Sequence, residues 1–245
     1  AAIDGFCGAT RSYDYGALEP SRLGFDGGRQ TSEDATERGK AHQRELPLRT
    51  GPTLAEGLVR ESQGESVLAQ ISKRDNPQTV IGAYRQKLAG LETLEGETIV
   101  ALEGIRDPGN LGTILRTADS TGAGGVVLIG ESCDPFSVEA VRASMGSLFA
   151  MKLARASFDE LQRYRQKRGA EMYGLSLKGG PLDPGTPAPA KAIVLMGNEQ
   201  SGLPEHMEAA CDHLVKLPMR GRADSLNLAI ATGVMLYDLW RRRGY

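Results

Sequence analysis

From residue 98 onward, short and almost wholly apolar runs alternate with longer amphipathic stretches. The apolar runs predict strands at Thr98–Ile105, Gly125–Ile129, Ala150–Ala154, Met172–Leu177, Ala192–Met196 and Leu214–Leu217. The stretches between them predict helices at Leu111–Thr121, Val138–Phe149, Phe158–Lys167, Glu205–Ala210 and Leu226–Arg243. Strands that alternate with helices of this length pair in parallel through crossover helices. A run such as Ile193-Val194-Leu195-Met196 has no polar alternation, as expected of a strand covered on both faces. The predicted architecture is therefore α/β, a parallel sheet flanked by helices. Gly179–Ala190, rich in Pro and Gly, reads as a surface loop.

The pattern fails before residue 67. Residues 1–66 hold only 13 strongly apolar side chains, and Gly27–Gln43 is almost entirely small, polar or charged. No sustained period of 2 or 3.6 runs through them, so this region is expected to be poorly ordered, or a divergent appendage. Charge follows the same division. Residues 1–98 carry 12 Lys/Arg against 15 Asp/Glu, and residues 99–245 carry 17 against 16. The whole chain, at a net charge of -2, is not a protein that coats nucleic acid by bulk electrostatics. Its basic residues cluster instead, at Arg163–Arg168, at Arg220 and Arg222, and at Arg241–Arg243, and each cluster alone reads more readily as a solvated helix face or helix end. No run of 18 apolar residues predicts a membrane span, and no signal peptide is visible at Ala1–Gly8. Cys7, Cys133 and Cys211 are too scattered for a disulfide scaffold, so a cytoplasmic location is expected. With His42, His206 and His213 they form no metal-ligand cluster, so no metal is expected.

Ligands of parallel α/β sheets sit at the carboxyl ends of the strands, and three loops there carry unusual residues. The first is Arg106-Asp107-Pro108-Gly109-Asn110-Leu111-Gly112, with Arg116 less than two helical turns beyond Asn110. Asn110 is placed to cap a helix starting at Leu111. The second is Met196-Gly197-Asn198-Glu199-Gln200-Ser201-Gly202-Leu203-Pro204, where Gly197 lets a backbone approach a ligand closely. The third is Leu217-Pro218-Met219-Arg220-Gly221-Arg222-Ala223-Asp224-Ser225-Leu226-Asn227. Ser225 is its expected N-cap, with Asn227 in the first turn of a helix apolar on nearly every side. Such a helix is buried in a domain or pressed against a second subunit.

In this order and near these spacings, the three segments resemble motifs 1, 2 and 3 of the SpoU (TrmH) family in the SPOUT superfamily. Arg106–Ala118 is similar to the N-x5-R motif, Val194–Pro204 to G-N-E-x-x-G, and Leu217–Tyr237 to P-M-x-G-x-x-x-S-L-N. The resemblance covers about residues 70–245. It implies a deep trefoil knot near the C-terminus, S-adenosyl-L-methionine as cofactor, and methyl transfer to a ribose 2′-hydroxyl of RNA. It also implies a homodimer with the site near the interface. By the same resemblance Asn110, Arg116, Glu199, Ser225 and Asn227 form the catalytic group. Leu195, Met196, Gly197, Asn198, Leu217, Met219, Ser225 and Leu226 then hold the cofactor, and Arg106, Arg116, Arg220 and Arg222 meet RNA. An arginine stays protonated in proteins, so the physical role of Arg116 is to clamp a phosphate bidentately and so position the hydroxyl.

Val67–Tyr84 resembles the end of the small RNA-binding domain that precedes the catalytic domain in some family members, many of which act on ribosomal RNA. The expected division is 1–66, 67–96 as a remnant of that domain with its linker, and 97–245 as the methyltransferase domain. The expected partner is RNA, ribosomal ahead of transfer RNA, with no membrane partner. A transfer-RNA methyltransferase and a non-catalytic family member that binds AdoMet or RNA remain the alternatives. A Rossmann-type enzyme would want G-x-G-x-x-G after its first strand; Gly122-Ala123-Gly124-Gly125 precedes a strand and lacks the last glycine.

Overall fold

A computed structural model describes residues 6–7, 58–61, 80–83, 86–181 and 185–244. Three strands lie in the N-terminal part: β1 (Phe6–Cys7), β2 (Leu58–Glu61) and β3 (Val80–Ala83). They form an antiparallel sheet in the order β1-β3-β2, with Phe6 opposite Ala83 and Glu61 opposite Val80. The expectation of poor order for 1–66 otherwise falls outside the described residues.

The predicted parallel sheet is present, six strands in the order β6-β5-β4-β8-β7-β9. They are β4 (Thr98–Glu103), β5 (Val126–Ile129), β6 (Leu153–Ala156), β7 (Glu171–Pro181), β8 (Ala192–Met196) and β9 (His213–Lys216). The helices are α1 (Pro108–Ser120), α2 (Val138–Ala143), α3 (Ser147–Ala150), α4 (Phe158–Arg168), α5 (Glu205–Ala209) and α6 (Leu228–Arg242). Every described strand pairing in this sheet is parallel. Alternate residues of the central strands feed two cores. Val100, Leu102, Val194 and Met196 pack with Leu111, Leu115, Met235 and Leu239, on the side of α1 and α6. Ile99, Ala101, Ile193 and Leu195 pack with Leu161, Tyr164 and Met207, on the side of α4 and α5. Burial on both faces explains the unbroken apolar runs, each large side chain contributing about 1.5–3 kcal/mol.

Three predicted elements differ. The helix expected over Val138–Phe149 is two, because Met145 (φ 52°) and Gly146 (φ 97°) take left-handed conformations that interrupt it. The strand expected at Ala150–Ala154 accordingly starts at Leu153, after the turn of α3. The strand expected at Met172–Leu177 runs instead from Glu171 to Pro181, into residues read as loop. A Cβ on Gly179 would come within 2.6 Å of the Val215 carbonyl carbon, so glycine there lets β9 pass close to β7. The register between these two strands shifts from Leu175 to Gly180.

Candidate active site

The three loops meet at the carboxyl edge of the sheet, after β4, β8 and β9. β4 and β8 are adjacent, with Leu102 opposite Met196, so their loops leave side by side. Asn198 fixes the second loop to the first: its Nδ2 donates to the Gly104 carbonyl at 2.7 Å. Its Oδ1 accepts from the Gln200 and Ser201 N–H groups at 2.9 and 3.2 Å. Asn198 and Gly202 exchange main-chain hydrogen bonds, closing a tight turn. A Cβ on Gly197 would meet the Gly202 carbonyl carbon at 2.2 Å. The close approach expected at Gly197 is therefore made by the loop's own turn.

This turn presents Glu199 to the first loop. Its Oε1 accepts from the Asp107 N–H and from Asn110 Nδ2, and its Oε2 from the Arg106 N–H and Asn198 Nδ2, all at 3.4 Å. Asn110 Oδ1 in turn accepts from Asn227 Nδ2 at 2.9 Å, and Asn227 Oδ1 accepts from the N–H groups of Ala229 (2.9 Å) and Ile230 (3.3 Å). Each amide's orientation follows from its neighbour. The α6 amides can only donate, so Asn227 turns its oxygen to them and its NH2 to Asn110. Asn110 then has its own NH2 left for the carboxylate. One line of hydrogen bonds thus joins Glu199, Asn110, Asn227 and the start of α6, across residues up to 117 positions apart.

Two caps differ from expectation. Asp107, not Asn110, caps α1: its Oδ1 accepts from the Asn110 N–H, and Pro108 occupies the first helical position. The Asp-Pro pair was the signal, since proline at N1 puts the cap one residue earlier. Asn227, not Ser225, caps α6, which begins at Leu228; Ser225 is exposed in the loop before it. α1 thus starts three residues earlier than expected and α6 two later, and each start leaves an asparagine at the site. Arg116 lies exposed on α1, while Arg106, Arg220 and Arg222 are exposed on the loops. Leu195 and Met196 are buried in β8, Leu217 and Met219 half-buried after β9, and Leu226 exposed.

The other basic clusters are largely engaged within the fold. Arg165 forks onto Asp212 and donates to the Ala210 carbonyl at 2.8 Å, and Lys167 pairs with Glu92 at 2.8 Å. Arg168 donates to the carbonyls of Leu94 and Gly96, and Arg243 to Thr98 Oγ1 and the Pro189 carbonyl. Arg241 pairs with Asp238 at 2.9 Å. Arg106, Arg116, Arg220 and Arg222 have no carboxylate partner among the described residues.

Cys133, on the loop after β5, borders the site. Burial, together with the negative charges of Glu199, Asp107 and Asp134, pushes its thiol up to about 11, which makes it a poor nucleophile. Among the described residues no three metal-ligating side chains gather, and no helix is long and apolar enough to cross a membrane. The sheet-edge geometry and the three polar loops point to one family.

The sequence model of the SpoU rRNA Methylase family matches residues 97–237. The chain belongs to the SpoU family. A Bacillus subtilis relative, 23S rRNA (guanosine(2553)-2′-O)-methyltransferase RlmP, is 27% identical over 175 residues, covering 71% of this chain and 70% of the relative. The 23S rRNA (uridine(2479)-2′-O)-methyltransferase of Streptomyces viridochromogenes is 36% identical over 142 residues, covering 56% of this chain and half of the relative. Among solved structures, an AdoMet-bound rRNA methyltransferase from Sinorhizobium meliloti superposes with a TM-score of 0.68 at 48% identity, covering 73% of this chain and 70% of that one.

Proposed function

We propose that this SpoU protein transfers a methyl group from S-adenosylmethionine to a ribose 2′-hydroxyl of RNA, ribosomal RNA ahead of transfer RNA. The observation that carries the reading is the hydrogen-bonded line Glu199–Asn110–Asn227, which gathers one polar residue from each loop at the carboxyl edge of the sheet. The loops also suit the cofactor. The β8 ladder ends at Met196 and the β9 ladder at Lys216, so main-chain groups from Gly197 and Leu217 onward lie beyond the sheet pairing. Leu217, Met219 and Leu226 place apolar side chains beside them. Main-chain donors and acceptors among apolar walls fit a purine with its ribose. Leu195, Met196, Gly197, Asn198, Leu217, Met219, Ser225 and Leu226 would hold the cofactor, whose sulfonium supplies an electrophilic methyl when bound.

The protein's own residues then have an orienting task. Arg116, exposed and charged, clamps the phosphate beside the target ribose and sets the hydroxyl in line. Glu199 and Asn227 hold Asn110 from two sides. Arg106, Arg220 and Arg222 bind the flanking backbone, which supplies affinity and position but no sequence choice.

The working molecule is a homodimer in this reading. Ile230, Val234, Tyr237 and Trp240 stand between 38% and 58% exposed along α6, spaced as one helical stripe. The helix that carries this stripe starts at Asn227, so the interface adjoins the site. The return of the chain from β9, an edge strand, to α6 packed on α1 supports the trefoil knot that the family resemblance implies. Residues 97–245 form the methyltransferase domain and 67–96 the remnant before it. The free thiols of Cys133 and Cys211 suit a reducing cytoplasm.

The test is to incubate the protein with labelled AdoMet and unmodified ribosomal and transfer RNA, then map 2′-O-methyl sites. Arg116→Ala is expected to lower transfer by about 10²-fold or more, with AdoMet affinity within twofold of the parent's. Transfer that survives the change removes Arg116 from its role. Wild-type protein that labels no RNA overturns the reading.

A further inference from the structure

The loop after β5 ties an additional arginine to the site. The Cys133 N–H donates to the Ile105 carbonyl at 2.7 Å, immediately before Arg106 in the first loop. The Cys133 carbonyl in turn accepts from Arg155 Nη2 at 3.5 Å. Arg155 is the third residue of β6, exposed, 22 positions from Cys133 and 49 from Arg106. Its guanidinium is thus separated from the first loop by the single residue Cys133, which itself lies within electrostatic reach of Glu199 and Asp107.

What Arg155 lacks is as informative as what it has. Among the described residues no carboxylate pairs with it, and its one hydrogen bond is long. Arg165, Arg168 and Arg243, by contrast, spend their donors on Asp212 or on main-chain carbonyls of the fold. A guanidinium has five donors in a rigid fork, so Arg155 keeps most of them, and its full charge, for something outside the chain. Planar donors with an uncompensated charge match a phosphate.

Its place in the sheet gives the direction. β6 is one edge strand and β9 the other, and Arg220 and Arg222 follow β9. The Glu199–Asn110 line lies between them, on the loops of the central strands β4 and β8. At about 4.8 Å per strand, six strands separate the two edges by roughly 24 Å, a span of a few nucleotides.

We propose that Arg155 binds a backbone phosphate flanking the target ribose. The RNA strand then crosses the carboxyl edge of the sheet, from Arg155 beside β6, over the site, to Arg220 and Arg222 beyond β9. The proposal rests on the reading of the protein as an RNA methyltransferase.

Two substitutions separate phosphate binding from a mere tether on the Cys133 loop. Arg155→Gln removes the charge but keeps an amide able to donate to the Cys133 carbonyl, and Arg155→Lys keeps the charge but loses the fork. Binding of unmodified ribosomal RNA transcripts is measured from 50 to 200 mM salt, together with steady-state methyl transfer. For Arg155→Gln the slope of log affinity against log salt is expected to fall by about one contact. KM for RNA should rise about tenfold, with kcat and AdoMet affinity near those of the wild type. Arg155→Lys should recover most of the slope. A wild-type slope and KM in Arg155→Gln, while the wild type labels RNA, overturn the role of Arg155 alone. So does the reverse order, with Gln tolerated and Lys impaired, which is the signature of a tether. Wild-type protein that labels no RNA overturns the methyltransferase reading and this proposal with it.

Discussion

Helices α4 and α6 lie on opposite faces of the sheet and are completed in opposite ways. α4 is finished by its own residues. Ser157 and Glu160 form a reciprocal capping box at its start, Gly169 turns left-handed at its end, and Arg165 and Arg168 bond to neighbouring segments. Its outer surface is charged. α6 starts on Asn227, whose side chain is shared with the site, and its outer surface carries Ile230, Val234, Tyr237 and Trp240. The scaffold helix needs nothing beyond the chain, whereas the site helix is open at both its start and its outer face. The lesson is that incompleteness here is concentrated where function is proposed. One helix joins the Glu199–Asn110–Asn227 line to an exposed apolar stripe, and the other holds the sheet.

The largest expected effect breaks this contrast at the outer faces. Val234→Glu on α6 buries a charge in the proposed interface, which costs about 3–5 kcal/mol when unpaired, or roughly 10²–10⁴-fold in dimer affinity. Analytical ultracentrifugation should find a monomer at micromolar concentration, with methyl transfer lost in parallel. Arg163→Glu on the exposed face of α4 should change stability by no more than about 0.5 kcal/mol and leave the dimer intact. A Val234→Glu protein that still sediments as a dimer places the interface elsewhere.

A smaller effect separates the two caps. Asn227→Ala should cost about 1 kcal/mol of stability, as should Ser157→Ala on α4, but only the first should lower methyl transfer. Asn227→Asp sharpens the point. Aspartate caps as well as asparagine, so melting should stay near that of the wild type. Yet it sets an acceptor against Asn110 Oδ1 where Nδ2 donated before, and transfer should fall about tenfold through the misplaced Asn110. Equal activity in Asn227→Asp and the wild type would show that Asn227 serves the helix alone.

How far these differences could be read in advance varies with the kind of contact. β4 and β8 are legible to within two residues because both faces are buried and the apolar run has no choice of period. The break at Met145–Gly146 is not legible, since Val138–Phe149 has unbroken helical spacing and the interruption is a matter of two left-handed backbones. The cap of α1 is legible in the Asp107-Pro108 pair, but the polar side chain of Asn110 invites the same role and competes with it. The gathering of Asn110, Glu199 and Asn227 followed from the family resemblance and not from spacing, because residues 89 and 117 positions apart leave no local signal. Arg155 has no such resemblance to announce it, and only the Cys133 carbonyl reveals its place.

The smallest effect distinguishes the caps by their response to acid. The α4 cap contains a carboxylate. The Ser157 N–H and hydroxyl, donating to Glu160 at 2.7 and 2.8 Å, hold the Glu160 carboxyl below the ordinary carboxylate range. A folded-state pKa below the unfolded value means stability that is complete above the ordinary value, near 4.3 for glutamate. That stability is lost as pH falls through the depressed one. Ser157→Ala removes the hydroxyl donor but not the main-chain N–H, so Glu160 should titrate higher than in the wild type and still below an ordinary glutamate. The melting difference between the wild type and Ser157→Ala should therefore narrow as the pH drops below that range. It should not vanish, because the hydroxyl also accepts from the Glu160 N–H, a bond that has no proton to lose. The α6 cap is a neutral amide, and the melting gap between the wild type and Asn227→Ala should hold across the same interval. Thermal melts of both pairs at several acidic pH values, with the Glu160 carboxyl followed by NMR, make the comparison. A Ser157→Ala gap that does not change with pH would mean that the α4 box is held by the hydroxyl–amide bond alone.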